Sequence, residues 1–346
     1  MHESEALLVL THRLKPSEVR KLVKAAGSAA EALKLAHPQL AGWEAASDWR
    51  EDLELATRHK IKLLAFTDPC YPSALLKLPD PPPLLYIKGK LAPEDEGGVG
   101  VVGTRICSLY GKEAAFKISE EVARFGLTVV SGLARGIDTA AHMGALKGGR
   151  SVAFIGSGLA DLYPKENIKL AEEIAQRGAV ISEHPMLTPP AKHLFPRRNR
   201  LIAALSAGSF LVEAPIKSGA MITMDYAHSL GKKCFALPGR IDVESFRGNH
   251  FLIKSGKALL VENGQEMVSI LQPEKGKLSF EPTRNLAFLE EEERALLLCF
   301  PSEEVSFDEL ASKAKLSIPK LSAKLMGLVL KGAIREFPGK YYKKNG

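Results

Sequence analysis

The segment Leu127-Thr128-Val129-Val130-Ser131-Gly132-Leu133-Ala134-Arg135-Gly136-Ile137-Asp138-Thr139-Ala140-Ala141-His142 decides the fold. A short apolar run gives way to small residues and glycines, and then to alanine-rich chain with helical spacing. That order is strand, tight turn, helix. It recurs along the middle of the chain. Apolar runs at Val99–Val102, Leu127–Val130, Ser151–Ile155, Ala179–Ser182, Ser209–Val212 and Lys233–Leu237 read as buried parallel strands. Helical stretches follow at Gly111–Phe125, Thr139–Lys147, Asn167–Arg177, Asn199–Leu205 and Met221–Leu230. The pattern predicts an α/β fold, an extended Rossmann-like doubly wound sheet with helices on both faces, spanning residues 97–271.

Working outward, residues 1–60 read as a helical module, resembling helix-hairpin-helix (SAM-like) units or serving simply to pack. One helix starts at Lys15-Pro16-Ser17-Glu18-Val19 with Ser17 as its cap, and a second runs from Ala29 to Leu35 after Gly27-Ser28. Residues 61–96 are a proline-rich lead-in expected to run extended over a neighbouring surface, with Leu84–Gly89 as one edge strand. A linker at 272–285 leads to residues 286–346. There, helices at Glu290–Phe300, Ser306–Ala314 and Ile318–Leu330 precede two strands flanking Pro338-Gly339, the pattern of a winged helix.

The 346 residues carry a formal net charge of +7, a mild pointer to a polyanionic partner. Cys70, Cys107, Cys234 and Cys299 form no CxxC pair, so neither a zinc site nor a disulfide framework is expected. The only apolar run near the N-terminus, Ala6–Leu10, is too short for a signal-peptide core, and no later stretch is long enough to span a bilayer. A cytoplasmic protein without membrane contact is expected.

In a doubly wound sheet, ligands bind beyond the carboxyl ends of the strands. The loops there hold Gly103-Thr104-Arg105, then Ser131 to Asp138, Gly156-Ser157-Gly158 running on to Tyr163-Pro164-Lys165-Glu166-Asn167, Lys192 to Arg200, and Glu213 to Thr223. Glycine, serine and threonine at helix starts let a backbone approach an anion and present free N–H groups to it. Arg105, Arg135, Lys165, Lys192, Arg197, Arg198 and Arg200 add a cationic rim, and Phe195 offers a ring on which a base can stack. Candidate contacts are therefore Gly103, Thr104, Arg105, Ser131, Gly132, Arg135, Gly158, Lys165, Lys192, Phe195, Arg197, Arg198, Asn199, Arg200, Ser218 and Gly219. Plainer roles compete: Arg197, Arg198 and Arg200 cannot all face one way on a helix, so at least one should make a structural ion pair. Asp138 serves equally well as a helix cap or a ligand contact, and His142 fits a packing role better than that of a base. No GxGxxG, P-loop, HExxH or GxSxG pattern is present, so no catalytic residue, metal ligand or cofactor is assigned.

At these loops the sequence resembles the DNA-processing protein A (DprA, or Smf) family. The resemblance runs through Gly103-Thr104-Arg105, the Ser131–His142 segment SGLARGIDTAAH, Tyr163–Asn167 and Phe195-Pro196-Arg197-Arg198-Asn199-Arg200-Leu201-Ile202. It continues through Ser218–Thr223 and Leu237-Pro238-Gly239, and covers about residues 65–265. The family more often has a second isoleucine where this chain reads Arg200-Leu201. The resemblance implies a single-stranded-DNA-binding protein of natural transformation and recombination that protects incoming strands, loads the RecA recombinase and works as a homodimer. It also implies a DNA pocket at Arg105, Gly158, Lys165, Lys192 and Phe195. Four or five phosphate contacts would give a salt slope of roughly −3. Two other classes compete. A nucleoside-monophosphate phosphoribohydrolase would use a PGGxGT-type turn, matched here only by Pro215-Ile216-Lys217-Ser218-Gly219-Ala220, with Glu213 as the nominated acid. A winged-helix transcriptional regulator would use Lys320, Lys324, Lys331, Lys340, Lys343 and Lys344 on duplex DNA.

Overall fold

The computed structural model describes residues 2–36, 48–276, 289–301, 304–314, 316–331 and 333–344. Two compact units divide the chain, Met1–Leu278 and Ser279–Gly346.

The first unit opens with helices α1 (Glu3–Arg13), α2 (Pro16–Ala26), α3 (Ala29–Ala36) and α4 (Asp48–Arg58), followed by β1 (Lys62–Ala65), α5 (Ser73–Leu76) and β2 (Leu84–Gly89). The alternating region then runs β3 (Val99–Val102), α6 (Leu109–Arg124), β4 (Val129–Ser131), α7 (Ile137–Gly148), β5 (Ser151–Phe154), α8 (Ile168–Arg177) and β6 (Ala179–Ser182). It continues through α9 (Leu194–Leu205), β7 (Gly208–Leu211), α10 (Gly219–Ser229), β8 (Lys233–Ala236), α11 (Arg247–Lys254), β9 (Leu259–Leu260), α12 (Gly264–Leu271) and α13 (Pro273–Gly276). One nine-stranded sheet results, in the order β1-β2-β6-β5-β4-β3-β7-β8-β9. From β6 to β9 all pairings are parallel, while β2 pairs antiparallel to β6 and β1 antiparallel to β2. The chain winds from β3 out to β6 and returns to place β7 on the other side of β3. The sheet thus changes winding direction between β3 and β7, where a crevice opens at the strand ends.

Both faces of the sheet are covered, because successive residues of a strand point to opposite sides. Val102 and Leu211 enter the core beneath α9 and α10, while their neighbours Val101 and Phe210 enter the one beneath α6, α7 and α12. Beyond the edge of the parallel strands, the prolines lack N–H groups and are held through their carbonyls. Arg20 Nη1 donates to Pro81 O at 2.7 Å, and Tyr71 Oη donates to Pro82 O at 2.8 Å.

Several sequence expectations change. Leu84–Gly89 is a strand but not an edge strand, because Lys62–Ala65 pairs along its outer side. Ser17 does not cap α2. The helix starts with Pro16, and the Lys15 N–H donates to the Glu18 carboxylate at 2.8 Å. Helix α9 begins at Leu194 rather than Asn199, since a proline in a first turn loses no helical hydrogen bond. The residues Ala6–Leu10 lie inside α1 and are wholly buried. This helical module is keyed to the sheet by Asp52, a buried carboxylate that accepts from the Tyr86 hydroxyl, from Met186 N–H at 2.6 Å and from His12 Nε2 at 3.3 Å.

The second unit contains α14 (Glu291–Leu298), β10 (Val305–Ser306), α15 (Phe307–Ala314), α16 (Ile318–Leu330), β11 (Ile334–Phe337) and β12 (Tyr341–Lys344). Its sheet order is β10-β12-β11, and Leu296, Leu310, Leu321, Leu325, Leu328 and Ile334 fill its core. This is a winged helix. Of the expected linker 272–285, residues 273–276 form α13, and 277–285 lie outside the described residues, as do 286–288. No described helix is long and apolar enough to cross a membrane.

Asn249, wholly buried on α11, joins the ends of β7 and β8. Its Nδ2 donates to Leu211 O, Val212 O and Leu237 O at 3.0–3.1 Å, and its Oδ1 accepts from Ala214 N–H at 3.1 Å. Asn249→Ala strands three buried backbone groups, Leu211 O keeping its bond from Leu237 N–H, so a loss of about 2–4 kcal/mol in unfolding free energy is expected from urea titration. An unchanged midpoint would show that these strand ends need no pin.

Candidate functional site

A cleft of about 500 Å³ opens at the carboxyl end of the sheet, at the switch between β3 and β7. The loop after β3 contributes Gly103, Thr104, Arg105 and Ile106. The turn into α10 contributes Pro215, Lys217, Ser218 and Gly219, and α9 with its lead-in contributes Lys192, Phe195, Arg198 and Asn199. The loops are rigidly tied. Thr104 N–H donates to Glu213 O at 2.7 Å, and Asn199 Nδ2 donates to Gly219 O at 3.1 Å. Ser218 caps α10 by accepting from Met221 N–H, and a Cβ added at Gly219 would meet only open space. That helix start therefore presents its backbone to whatever enters.

At the floor of the cleft lies Arg198, 3% exposed. Its Nη1 donates to Phe154 O at 2.8 Å, and its Nε has no hydrogen-bond partner. Burial lowers its pKa to about 10, opposed by the nearby Asp138, so it remains a cation at neutral pH. Asp138 is the one carboxylate among the lining residues. Burial raises its pKa, while Arg198 pulls it down. Arg105, Lys192 and Lys217 surround this pair, exposed and, among the described residues, without an ion pair. An anion entering here meets a cationic excess and gives up little competing protein contact.

Phe195 sits differently from an open platform. The Arg105 guanidinium carbon lies over its ring, 4.8 Å from the centroid, and Tyr163 lies 6.0 Å away on a tilted plane.

Nine of the sixteen sequence candidates line the cleft: Gly103, Thr104, Arg105, Lys192, Phe195, Arg198, Asn199, Ser218 and Gly219. The other seven do not. Ser131 is buried, donating to Val101 O at 2.7 Å. Gly132 lies behind Arg198, where a Cβ would come within 1.5 Å of Nη1. Gly158 admits the loop after β6, since a Cβ there would meet Met186 O at 2.1 Å. Arg135 is bonded to Glu166, and Lys165 to Asp161 at 2.7 Å. Arg197 turns away toward Pro83 and Tyr86, 3.7 Å from Glu183. Arg200 is buried between Glu183 and Asp80, with Nε 3.1 Å from the Asp80 carboxylate. The arginine cluster thus contains the structural ion pair that its spacing implied.

Lys217, not among the sequence candidates, also lines the cleft, and its place directly before the helix-capping Ser218 is the sequence signal for it. Also unforeseen was Asn167, whose Nδ2 donates to Leu133 O and Thr139 Oγ1, both at 2.9 Å, and so holds the Ser131–Asp138 turn. Glu213 is fully engaged, accepting from Ser108 Oγ at 2.7 Å and Ser245 Oγ at 2.6 Å. No cluster among the described residues has the composition of a metal site.

Residues 62–272 match the family described as DNA recombination-mediator protein A, and residues 280–340 match the DprA winged helix domain. The chain belongs to this family. It is 33% identical over 327 residues to Protein Smf of Synechocystis sp., covering 84% of this chain and 82% of that one. With the DNA processing protein DprA of Streptococcus pneumoniae it shares 42% identity over 211 residues, 61% of this chain and 74% of the relative. The crystal structure of the Streptococcus pneumoniae DprA aligns with a TM-score of 0.66 at 32% identity, covering 81% of this chain and 99% of that one. A DprA structure from Helicobacter pylori, reported for its single-stranded DNA binding mode, aligns with a TM-score of 0.56 at 32% identity, covering 62% and 97%. Members of the family are DNA-processing proteins.

In the winged helix, the lysines of α16 face α14. Lys320 pairs with Glu292 at 2.7 Å, Lys331 with Glu293 at 2.7 Å, and Lys324 with Glu290 and Glu292. The exposed side of α16 carries three large apolar side chains, Ile318, Met326 and Leu330, with Ser322 between the first two.

Two outcomes follow from the cleft floor. Gly132→Ala should drive the Arg198 guanidinium from its site, lowering the thermal midpoint by several degrees, whereas an unchanged midpoint would mean the floor yields freely. The second concerns His142, the buried residue expected to pack. It accepts from Leu133 N–H at Nε2 (3.2 Å) and contacts Ser151 Oγ through Nδ1 (2.7 Å). Burial lowers its pKa to about 3, so the unfolded chain binds the proton first as pH falls. Its contribution is complete above about pH 6.5 and is lost progressively down to about pH 3. His142→Gln should flatten the fall of the urea midpoint across that window. An equally steep fall would assign it to other groups.

Proposed function

We propose that this chain binds single-stranded DNA in the cleft between β3 and β7, as a recombination mediator rather than as an enzyme. The observation that carries this reading is the set of unpaired cations, Arg105, Lys192 and Lys217, arranged around the exposed start of α10. Phosphates are the natural guests of such a site, which has backbone N–H groups, a helix dipole and cations not committed to carboxylates. Preference for an unpaired strand comes from the planar groups beside it, because bases are free to stack only outside a duplex. The relative from Helicobacter pylori, whose structure concerns single-stranded DNA binding, supports the same reading. In this role the protein shields incoming strands and passes them to the RecA recombinase during transformation or recombination. It acts as a homodimer in the cytoplasm, with no cofactor.

The rival hydrolase reading loses its nominated acid, since Glu213 is held by Ser108 and Ser245. The regulator reading loses its basic helix, since Lys320, Lys324 and Lys331 are committed to α14. The winged helix is better suited to touching protein, through its exposed Ile318, Met326 and Leu330.

Fluorescence anisotropy with a labelled oligothymidylate tests the cleft. About three phosphate contacts give a salt slope near −2, shallower than the roughly −3 expected when Lys165 is counted. The double variant Arg105→Ala with Lys192→Ala should weaken binding at least ~10-fold and flatten the slope by about 1.4. Duplex of equal length should bind more weakly. Binding that ignores both substitutions would move the DNA site out of the cleft.

A further inference from the structure

A column of two aromatic rings with a guanidinium at each end crosses the strand ends beside the cleft. Arg105 lies over Phe195 at 4.8 Å, Phe195 faces Tyr163 at 6.0 Å, and Arg135 lies over Tyr163 at 6.0 Å. Each member comes from a different part of the chain: the loop after β3, the start of α9, the loop after β5 and the loop after β4. The two rings are half-buried, and the two guanidinium ends are exposed. Gly156 closes in on Phe195, where an added Cβ would stand 3.0 Å from Cδ1.

We propose that this column is a nucleobase-stacking rail, with bases of an unpaired strand lying on the outer faces of Arg105 and Arg135. The inference rests on the single-strand reading above and extends it beyond the cleft. Arg105 already covers a face of Phe195, so a base approaching from that side meets a guanidinium plane rather than the ring. Guanidinium groups are flat and weakly hydrated, and unstacked bases lie readily on them. Phe195 and Tyr163 are then positioning residues that hold those planes by cation–π attraction. The carboxylate of Glu166 bonds Arg135 at Nε. Hydrogen bonds to a guanidinium lie in its plane, so this pairing neutralises Arg135 toward phosphates yet leaves its face open. The same cannot hold for Lys165, whose ammonium is a point charge already spent on Asp161.

The test uses the full chain with Arg105→Lys and Arg135→Lys, which keep the charge and remove the plane. Two probes of equal length are compared by anisotropy, an oligothymidylate and an abasic sugar-phosphate strand. Wild type should prefer the base-bearing strand, and each variant should cut that preference by about 5- to 100-fold. The rail is overturned if the preference survives both substitutions. It is equally overturned if Arg105→Lys strengthens the preference, because the uncovered Phe195 would then be the true platform. Wild type that binds both strands equally also overturns the rail, while leaving the cleft as a phosphate site. Wild type that binds neither strand overturns the single-strand reading, and the rail with it.

Discussion

The guanidinium of Arg198 lies almost wholly out of water at the carboxyl end of the parallel strands, and the surrounding loops are shaped to hold it there. A buried charge costs several kcal/mol unless it is met by an opposite charge and by hydrogen bonds. Asp138 supplies the charge from the first turn of α7, and Phe154 O supplies an acceptor from the end of β5. Gly132 supplies room by having no side chain. The turn bearing Gly132 is fixed in turn by Asn167, which reaches Leu133 O and Thr139. The SGLARGID segment thus reads first as a socket for an arginine sixty-odd residues away, and only through that arginine as part of a binding surface.

What distinguishes the cleft from the rest of a basic surface is that cations free of ion pairs converge there on an open helix start. Three arginines within four residues of α9 point in three directions because each position turns the helix by about 100°. Arg198 enters the floor, Arg197 leaves toward β2, and Arg200 is locked between Glu183 and Asp80. A cation already bonded to a carboxylate offers an incoming phosphate little, since the exchange returns what it takes. Arg105, Lys192 and Lys217 have no such partner, and they converge where the backbone of α10 is also open.

The sequence carried much of this plainly. The repeated strand-turn-helix order located six of the seven parallel strands to within a residue or two, missing the two-residue β9, and the loops at their carboxyl ends contain the cleft. It could not say which small residues face a ligand. Ser131, Gly132 and Gly158 look like phosphate-loop residues, yet they serve a strand carbonyl, an arginine and a neighbouring loop. Those roles depend on packing between segments far apart in the chain, which local spacing does not record. The start of α9 is another case. The sequence reading opens this helix at Asn199, but in a first turn the missing N–H of Pro196 has no partner to lose, so α9 starts at Leu194 and carries Phe195 beneath Arg105. Strand β1 escaped notice because it stands outside the repeated strand-turn-helix order, just ahead of the proline-rich segment.

The winged helix shows the same limit from the opposite side. Its third helix and wing are rich in lysine, which by composition suits duplex DNA. The acidic start of α14, Glu290 to Glu293, favours its own helix dipole and at the same time receives Lys320, Lys324 and Lys331. These partners stand 28 to 38 residues apart, beyond any helical repeat by which a reader would pair them. With those lysines engaged, the outward side of α16 carries Ile318, Met326 and Leu330, a surface with more to offer a protein than a phosphate backbone. A net charge of +7 therefore becomes a functional signal only where cations free of ion pairs converge on an open backbone, as Arg105, Lys192 and Lys217 do at the cleft.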